Sequence, residues 1–299
     1  MLLNSQTLCF EWLRSKKGKI KPSTYNKYDM ILNKYLLDFF NNYHLDQLDI
    51  SIIKDYFISL LDQGLSSSVV QSIKNVLKAI YITYENQYGL NHIDFSLVKI
   101  EQEKKENASL LDEQFNQLHQ YCLNTIDAIH LGVLLAMDTG MMIGEICALK
   151  VSDIDLNKKM ISITKRTQRV KNEERGSKTI YEVADVEWPI KRNIAIPQSL
   201  IQYLEIYLKD KNKNDYLLSN NQHASDFKKL QRGLDKITQQ LGFKTTYKDL
   251  RNMYKEHCMK KCLDVNVVME LLGLQSMKLS LPQDYNSSDE EKIKQVNKL

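Results

Sequence analysis

The chain has 299 residues, of which 43% are hydrophobic and 26% are charged. These values are typical of a globular protein with about two domains and exclude extensive disorder. No apolar run approaches the roughly 20 residues that a transmembrane helix needs, and we find no signal peptide, so we expect a cytoplasmic protein without a membrane partner. The net charge of +4 permits nucleic-acid binding but does not require it.

The first part of the chain predicts a bundle of four helices. Apolar residues recur at helical spacing over 8–13, 25–40, 50–61 and 69–84. Pro22 marks one helix start, and the polar run at 64–68 makes a turn before the last helix. A lysine-rich stretch over 101–107 then interrupts the pattern. We expect a helical domain over 1–102, a linker over 103–109 and a second domain over 110–299.

The second part begins and ends with helices and contains a small sheet. Helical periodicity covers 112–124 and 128–139, and the pattern then changes. Alternating or β-prone residues predict strands at 160–164, 179–186 and 193–197. Helical patterns return at 199–208, 224–241, 247–261, 265–272 and 288–299. The sequence therefore predicts a mostly α fold with a small β-sheet.

The five cysteines are scattered and odd in number, which is typical of reduced thiols in a reducing compartment. His257, Cys258 and Cys262 lie close together, but no second cluster of ligand-type residues accompanies them. Structural metal sites usually combine two such clusters at characteristic spacing. We therefore expect no metal, and we interpret these thiols as packing side chains.

Short segments of the chain carry a resemblance to a known family. Residues 139–145 are T-G-M-M-I-G-E, 248–251 are K-D-L-R, 270–274 are E-L-L-G-L, and 10–13 with 22–25 are F-E-W-L and P-S-T-Y. In this order they resemble the active-site boxes and the core-binding start of the tyrosine recombinase (phage integrase) family. The resemblance extends over nearly the whole chain. It implies a helical, SAM-like core-binding domain followed by a tyrosine-recombinase-type catalytic domain.

The resemblance also implies a reaction. Active members of this family transfer a DNA phosphoryl group to a tyrosine hydroxyl and release a deoxyribose 5′-oxygen. Two arginines clamp the scissile phosphate, a hairpin lysine acts as general acid, and two His-type side chains donate to phosphate oxygens. The reaction needs no metal or other cofactor. The implied partners are double-stranded DNA and other recombinase protomers assembled on it.

Several positions of this chain depart from the family pattern. Met142 stands where the first box, T-G-x-R-[IL]-x-E, has its arginine, and a thioether cannot replace a guanidinium fork. Leu274 replaces the L-G-H histidine and has no donor, and the hairpin-lysine position falls at Val186. Arg251 matches the second arginine, and Lys248 takes the preceding histidine position, as in related type IB topoisomerases. Lys178 or Lys191 could replace the hairpin lysine only in a rearranged hairpin.

The nucleophile position is ambiguous by one residue. An ungapped comparison after the third box puts Asp284 in the tyrosine position and Tyr285 one residue later. One residue on a helix is a rotation of about 100°, although a bulge near Pro282 could bring Tyr285 into place. The candidate catalytic residues are therefore Arg251, Lys248 and Tyr285.

Basic side chains in both parts of the chain are candidates for DNA contacts. The hairpin region is dense in lysine and arginine, and two lysines four apart lie on a helix that corresponds to the family's groove-binding helix. The alternative is an ordinary solvated surface. The residues that we assign to DNA binding are Lys27, Lys74, Lys78, Lys165, Arg166, Arg169, Lys178, Lys191 and Arg192.

Three functions are compatible with this pattern. The first is a DNA-binding family member whose catalysis is impaired or lost, by drift in a mobile-element gene or by selection for binding without cleavage. The second is an active site-specific recombinase that forms a 3′-phosphotyrosyl intermediate through Tyr285. The third is a passive protomer in a recombinase assembly, where the family's last helix, here 288–299, commonly docks on a neighbour. Because the chain begins at the core-binding segment, we expect no separate arm-binding domain.

Overall fold

The computed structural model describes residues 4–101, 110–171, 179–187, 189–261, 263–274 and 287–299. The expected linker over 103–109 lies outside these residues, as do Lys178, Asp284 and Tyr285. The chain divides into two compact units, one of Met1–Glu106 with Val170–Thr179 and the other of Asn107–Arg169 with Ile180–Leu299. No helix in the described part of the chain is long and apolar enough to cross a membrane.

Helices form the first unit at the places that the apolar spacing predicts. Asn4 and Asp49 accept hydrogen bonds from the unpaired N–H groups of first turns, and Pro22 occupies a first-turn position. Gly89 ends the longest of these helices in the left-handed conformation, at a φ of 62°. The helices are α1 (Ser5–Lys16), α2 (Pro22–Ile31), α3 (Leu37–Asn42), α4 (Ile50–Asp62) and α5 (Ser67–Tyr88), with a π-helical turn at Leu32–Leu36.

Aromatic side chains add large rings to the mainly aliphatic core of the first unit. Trp12 is 1% exposed, and its ring centroid lies 5.4 Å from that of Tyr28. Phe39 stacks on Tyr56 with a centroid separation of 4.2 Å. Large aromatic rings bury much apolar area each, so these contacts add to the aliphatic packing between the amphipathic helices.

The second unit is built around one helix that is buried on all sides. Its helices are α6 (Asp112–Leu123), α7 (Ala128–Thr139), α8 (Ile143–Ala148), α9 (Gln198–Leu208), α10 (Phe227–Gln240), α11 (Tyr247–Lys260), α12 (Val265–Leu272) and α13 (Asp289–Val296). The apolar side chains of α7 between positions 131 and 137 are at most 1% exposed. A helix that is apolar all round must be covered all round, and α6, α10 and α11 pack against α7.

Strands form two separate sheets in the second part of the chain. β1 (Ile154–Asp155), β2 (Met160–Ile163) and β5 (Arg192–Ala195) make an antiparallel sheet in the order β1–β2–β5. β3 (Lys165–Lys171) and β4 (Thr179–Asp185) make a two-stranded hairpin. The sequence predicts β2, β4 and β5, but neither the two-residue β1 nor the highly charged β3. The predicted fold class, mostly α with a small sheet, is confirmed.

The last helix, α13, packs on β5 and α12 of its own unit. Its Lys292 is 2% exposed, and Nζ lies 2.5 Å from Oε1 of Glu270 on α12. Val296 on the same helix is 1% exposed. In this structure the apolar stripe of α13 therefore contacts its own chain.

Candidate active site

The first box forms the turn between α7 and α8. Gly140 ends α7 at a φ of 64°, and a Cβ there would lie 2.4 Å from the ring of Tyr254, so only glycine fits. Met142 is the residue that caps α8, and its backbone N–H donates to Glu145 Oε2 at 2.9 Å. A glutamate three residues after the cap position commonly fixes a helix start in this way. The half-buried Met142 side chain offers no hydrogen-bond donor.

Arg251 of α11 joins this turn to the end of α12. Its Nη1 donates to the Gly140 carbonyl and its Nη2 to the Leu272 carbonyl, each at 2.5 Å. Burial lowers the pKa of the guanidinium to about 10, although the nearby Glu145 carboxylate acts in the opposite direction. The group is therefore a cation at neutral pH, and it lies at the turn that carries Met142.

The structure contradicts the assignment of Arg192 to DNA binding. Its side chain is 2% exposed and forms a bidentate ion pair with the fully buried Glu145, at 2.7 and 3.0 Å. Its Nε donates to the Leu271 carbonyl at 2.7 Å, and its Nη1 also donates to the Ile190 carbonyl at 2.8 Å. A guanidinium enclosed by these four hydrogen bonds presents no surface to a DNA phosphate.

The third box offers an apolar contact where the family has a donor. Gly273 ends α12 at a φ of 61°, and Leu274 follows it, half-buried. Leu274 packs against a small apolar cluster made of Tyr254, Cys258, Leu263, Val268 and Leu272. Lys248 is exposed in the first turn of α11, about one turn before Arg251. Tyr285, the candidate nucleophile, lies outside the described residues.

Val186, which stands at the expected hairpin-lysine position, is buried at the base of the β3–β4 hairpin. Val186 is 7% exposed, and its N–H donates to the Thr164 carbonyl at 2.9 Å. A lysine at this position would be buried in the apolar core, where an ammonium group is costly. Lys165, which follows Thr164, is exposed. Val186 therefore fills a buried position and offers no side chain for proton transfer where the resemblance places the hairpin lysine.

The other residues assigned to DNA binding lie in different environments. Lys78 is exposed, whereas Lys74 is half-buried and donates to the Val98 carbonyl. Burial, together with the charge of Lys78, lowers the pKa of Lys74. Lys74 is therefore less available to a phosphate than Lys78. Arg166 is half-buried, and the remaining exposed members are Lys27, Lys165, Arg169 and Lys191.

Two contacts that are not predicted from the sequence hold the hairpin beside this site. A Cβ on Gly144 would lie 2.7 Å from the Thr167 carbonyl and 3.3 Å from the ring of Phe227, so glycine lets β3 pass close to α8. Phe227 also stacks on Tyr181 of β4, with centroids 4.9 Å apart. The capping role of Glu145 has a local signal in its spacing from Met142. The stacked pair of Tyr181 and Phe227 has no such signal in the sequence.

Among the described residues, no group of three or more His, Cys, Asp or Glu side chains could hold a metal ion. The described cysteines are free and buried, and burial raises the pKa of each of these thiols to about 12. They are neutral packing side chains at physiological pH. They are Cys9, Cys122, Cys147 and Cys258, and Cys262 lies outside the described residues.

Comparison with known protein families agrees with these boxes and with the fold. The family described as Phage integrase family matches residues 108–292. The family described as Phage integrase, N-terminal SAM-like domain matches residues 6–61. The chain belongs to the phage integrase family of tyrosine recombinases.

Individual relatives support the same membership. The chain is 26% identical over 300 residues to the tyrosine recombinase XerC-like protein of Caldanaerobacter subterraneus subsp. tengcongensis, covering 89% of this chain and 74% of that protein. It is also 26% identical over 285 residues to the tyrosine recombinase XerA of Pyrococcus furiosus, covering 94% of this chain and 88% of the relative.

Solved structures of integrases share the fold of this family member. The Tn1549 transposon integrase in complex with transposon right end DNA gives a TM-score of 0.78 at 15% identity, over 97% of both chains. A lambda integrase tetramer bound to a Holliday junction gives a TM-score of 0.66 at 14% identity, over 94% of this chain and 79% of that one. At these identities the likeness shows the fold alone.

Proposed function

We propose that this tyrosine recombinase family member binds double-stranded DNA in a recombination or integration context but does not cleave it. The observation that carries the proposal is the presence of Met142 at the start of α8. It lies in the turn to which Arg251 is hydrogen-bonded. A phosphoryl-transfer transition state needs donors on its equatorial oxygens. Met142 supplies none where the family has a bidentate guanidinium. Losing one such donor costs about 10²- to 10³-fold in rate.

Leu274 adds a second loss at the same site. Its side chain packs on an apolar cluster and has no donor for a phosphate oxygen. The rate losses caused by missing groups within one catalytic site are not strictly additive. Even so, the absence of donors at both Met142 and Leu274 supports a loss of several orders of magnitude. Arg251 and Lys248 remain as the described basic groups of the boxes, which supports phosphate binding without turnover.

Exposed basic side chains in each unit support DNA binding. Lys27 and Lys78 belong to the first unit, and Lys165, Arg169 and Lys191 belong to the second. The Tn1549 and lambda integrases, which share the fold, were solved with DNA. We propose that Lys27, Lys78 and the hairpin cations contact the backbone of the duplex, where each neutralised phosphate releases counterions.

Affinity for duplex DNA should therefore fall steeply as salt rises. Several phosphate contacts give a loss on the order of 10³-fold or more between roughly 50 and 200 mM salt. Fluorescence anisotropy of a labelled duplex across this range measures the dependence. Flat binding would show that the exposed cations are an ordinary solvated surface.

The second candidate function is an active recombinase with Tyr285 as nucleophile. The observation that favours it is the exposed Lys165 at the base of the β3–β4 hairpin, which could act as general acid where Val186 cannot. Arg251 would then be the main phosphate clamp, with Lys248 beside it. The passive-protomer hypothesis differs from both, because it predicts DNA association only together with other recombinase protomers.

A suicide-substrate assay separates these functions. Nicked duplexes that carry candidate element ends trap a 3′-phosphotyrosyl adduct, which a denaturing gel detects. We expect the protein to shift these duplexes under native conditions and to form no adduct. An adduct that disappears in Tyr285→Phe would overturn the proposal and establish the active recombinase. A native shift that requires an added active recombinase would favour the passive protomer.

A further inference from the structure

The C-terminal end of α12 is held by arginines from two other elements. Arg192 of β5 donates through Nε to the Leu271 carbonyl at 2.7 Å. Arg251 of α11 donates through Nη2 to the next carbonyl, that of Leu272. The last carbonyls of a helix lack partners within it and carry partial negative charge. The two cations therefore stabilise the same helix end, and Arg192 is the more deeply buried of them.

The buried ion pair extends this anchoring to the turn between α7 and α8. Glu145 accepts both Nη groups of Arg192, and its Oε2 also accepts the backbone N–H of Met142. Two residues before Met142, the Gly140 carbonyl accepts the Nη1 of Arg251. The Arg192–Glu145 pair thus fixes both main-chain segments whose carbonyls hold Arg251.

We propose that Arg192 and Glu145 are positioning residues that orient Arg251 toward a DNA phosphate. The inference rests on the proposed DNA-binding function. The described carbonyls accept two of the five N–H groups of Arg251, and a bidentate phosphate contact uses two others. A guanidinium held in one orientation before binding loses less conformational freedom when it meets the phosphate. Neither Arg192 nor Glu145 touches DNA itself.

Arg192→Lys tests the positioning role of Arg192 without removing its positive charge. Lysine keeps the positive charge opposite Glu145, but its single ammonium lacks the planar fork that bonds Glu145 and the Leu271 carbonyl together. The end of α12 then loses one anchor, while Arg251 itself is unchanged. Arg232→Lys, on the exposed face of α10, makes the same exchange away from this cluster and is the matched control.

The test is a double-mutant cycle on the affinity for a short duplex of arbitrary sequence. Wild type, Arg192→Lys, Arg251→Gln and the double variant are titrated across a salt series, after thermal unfolding shows that each is folded at the assay temperature. Arg251→Gln should reduce the slope of log K against log salt by about 0.9, the value for one phosphate contact. Arg192→Lys should reduce this slope by a similar amount, although the net charge of the protein does not change. The two reductions in affinity should not multiply, with a coupling of about 2- to 150-fold.

The outcomes distinguish failure of this inference from failure of the proposed function. If the wild type shows no salt-dependent affinity for the duplex, both fail. If the wild type binds, the inference alone is wrong when Arg251→Gln has no effect, when Arg192→Lys behaves like Arg232→Lys, or when the two reductions multiply. If Arg192→Lys does not fold, Glu145→Gln takes its place in the cycle, since it keeps an acceptor for the Met142 N–H. The slopes of log K against log salt are then compared among the variants in the same way.

Discussion

At Met142 the backbone of the first box is intact, but the arginine side chain that the family has at this position is missing. The turn around it is built as the first box requires, because Gly140 ends α7 and Glu145 caps the Met142 N–H. Arg251 is bonded to the same turn through the Gly140 carbonyl. The thioether nevertheless offers no donor to a phosphate oxygen. The position can therefore be tested by a substitution that leaves the surrounding hydrogen bonds in place.

Met142→Arg alone should form no covalent DNA complex. The new guanidinium supplies the missing fork and should raise DNA affinity, since it adds a phosphate contact. Leu274 still offers no donor, and Asp284 still stands at the expected tyrosine position. A nicked substrate on a denaturing gel measures the adduct, and Met142→Leu is the control for side-chain exchange without a fork.

An adduct formed by Met142→Arg and absent from Met142→Arg with Tyr285→Phe would contradict this prediction and identify the nucleophile. A restoring variant combines Met142→Arg, Leu274→His and Asp284→Tyr. Val186→Lys does not belong in that set, because Val186 is 7% exposed and a lysine there would be an unpaired buried charge.

At the residue scale, the sequence predicts those features that depend on the spacing of residues close together in the chain. Met142 and Leu274 were recognisable because each lies inside a short box. Arg192 is predicted to bind DNA, whereas the structure buries its side chain between the exposed Lys191 and Asn193. Its partner, Glu145, lies 47 positions earlier in the chain. No spacing rule joins two such residues, so the ion pair emerges only when β5 packs beside α8.

At the element scale, the β3–β4 hairpin brings a basic strand next to α8. Thr167 of β3 lies against Gly144, and Tyr181 of β4 stacks on Phe227 at the start of α10. Both strands are thus fixed to the helical part of the second unit. A strand held in this way can present its cations to a DNA backbone without first being ordered, which reduces the entropic cost of binding.

Replacing Arg166 and Arg169 together by glutamine should weaken binding to all duplex sequences by the same factor. We assign both side chains to phosphates, and phosphate contacts carry no sequence information. The slope of log K against log salt should decrease by about 0.9 for each phosphate that is no longer neutralised. Lys209→Gln with Arg232→Gln removes equal charge from exposed positions, just after α9 and on α10, and is the control. An altered affinity ratio between two duplex sequences would assign these arginines to base edges instead.

A pH-dependent contact ties α6 to the end of α7. His119 Nε2 lies 2.8 Å from Asp138 Oδ1, and the two side chains are 17% and 10% exposed. Burial works against the charged imidazole, but the hydrogen bond and charge of Asp138 outweigh it and raise the pKa of His119. The folded state therefore favours the protonated form of His119 more than the unfolded state does.

His119→Gln should destabilise the protein more at acid than at alkaline pH. The raised pKa of His119 contributes stability that is fully present below the unfolded value of about 6.5 and is lost as pH rises through the folded value. Urea unfolding at a series of pH values measures the free-energy difference from wild type. The exposed His223→Gln is the matched control. A difference for His119→Gln that does not vary with pH would rule out this linkage.

Periodic elements were predictable from the sequence, and the charged strand was not. The apolar spacing over 69–84 becomes α5, which Gly89 ends in the left-handed conformation. β3 has the sequence K-R-T-Q-R-V-K, which shows no apolar alternation. It becomes a strand because β4 pairs with it and because Gly144 leaves room for the backbone at Thr167. Both causes are tertiary.

For the whole molecule, the arrangement of charge matters more than its sum. The chain has 41 basic and 37 acidic residues, so its net charge of +4 gives little general attraction to DNA. The hairpin concentrates cations in a short stretch, and phosphate contacts act through such local groups. Composition alone could not predict the partner. The ordered boxes could, because they locate specific side chains.

The packing of α13 argues that the chain is a monomer in the absence of DNA. Val296 is 1% exposed, Ile293 packs against the core of the second unit, and Lys292 is paired with Glu270. Docking on a neighbour would first require this helix to leave those contacts and separate a buried ion pair. The apolar stripe of α13 is narrow, so association in free solution cannot offset that cost.

Sedimentation velocity without DNA should therefore show one species of 34.9 kDa at every protein concentration. Lys292→Met leaves Glu270 without its cation and should lower the free energy of unfolding by about 3–5 kcal/mol, the usual cost of breaking a buried pair. Lys294→Met, at an exposed position of the same helix, is the matched control and should change stability little. The folded fraction of Lys292→Met should remain monomeric, because release of α13 exposes too little apolar surface for stable association. A DNA-free dimer or tetramer of the wild type would show that α13 exchanges between protomers without DNA.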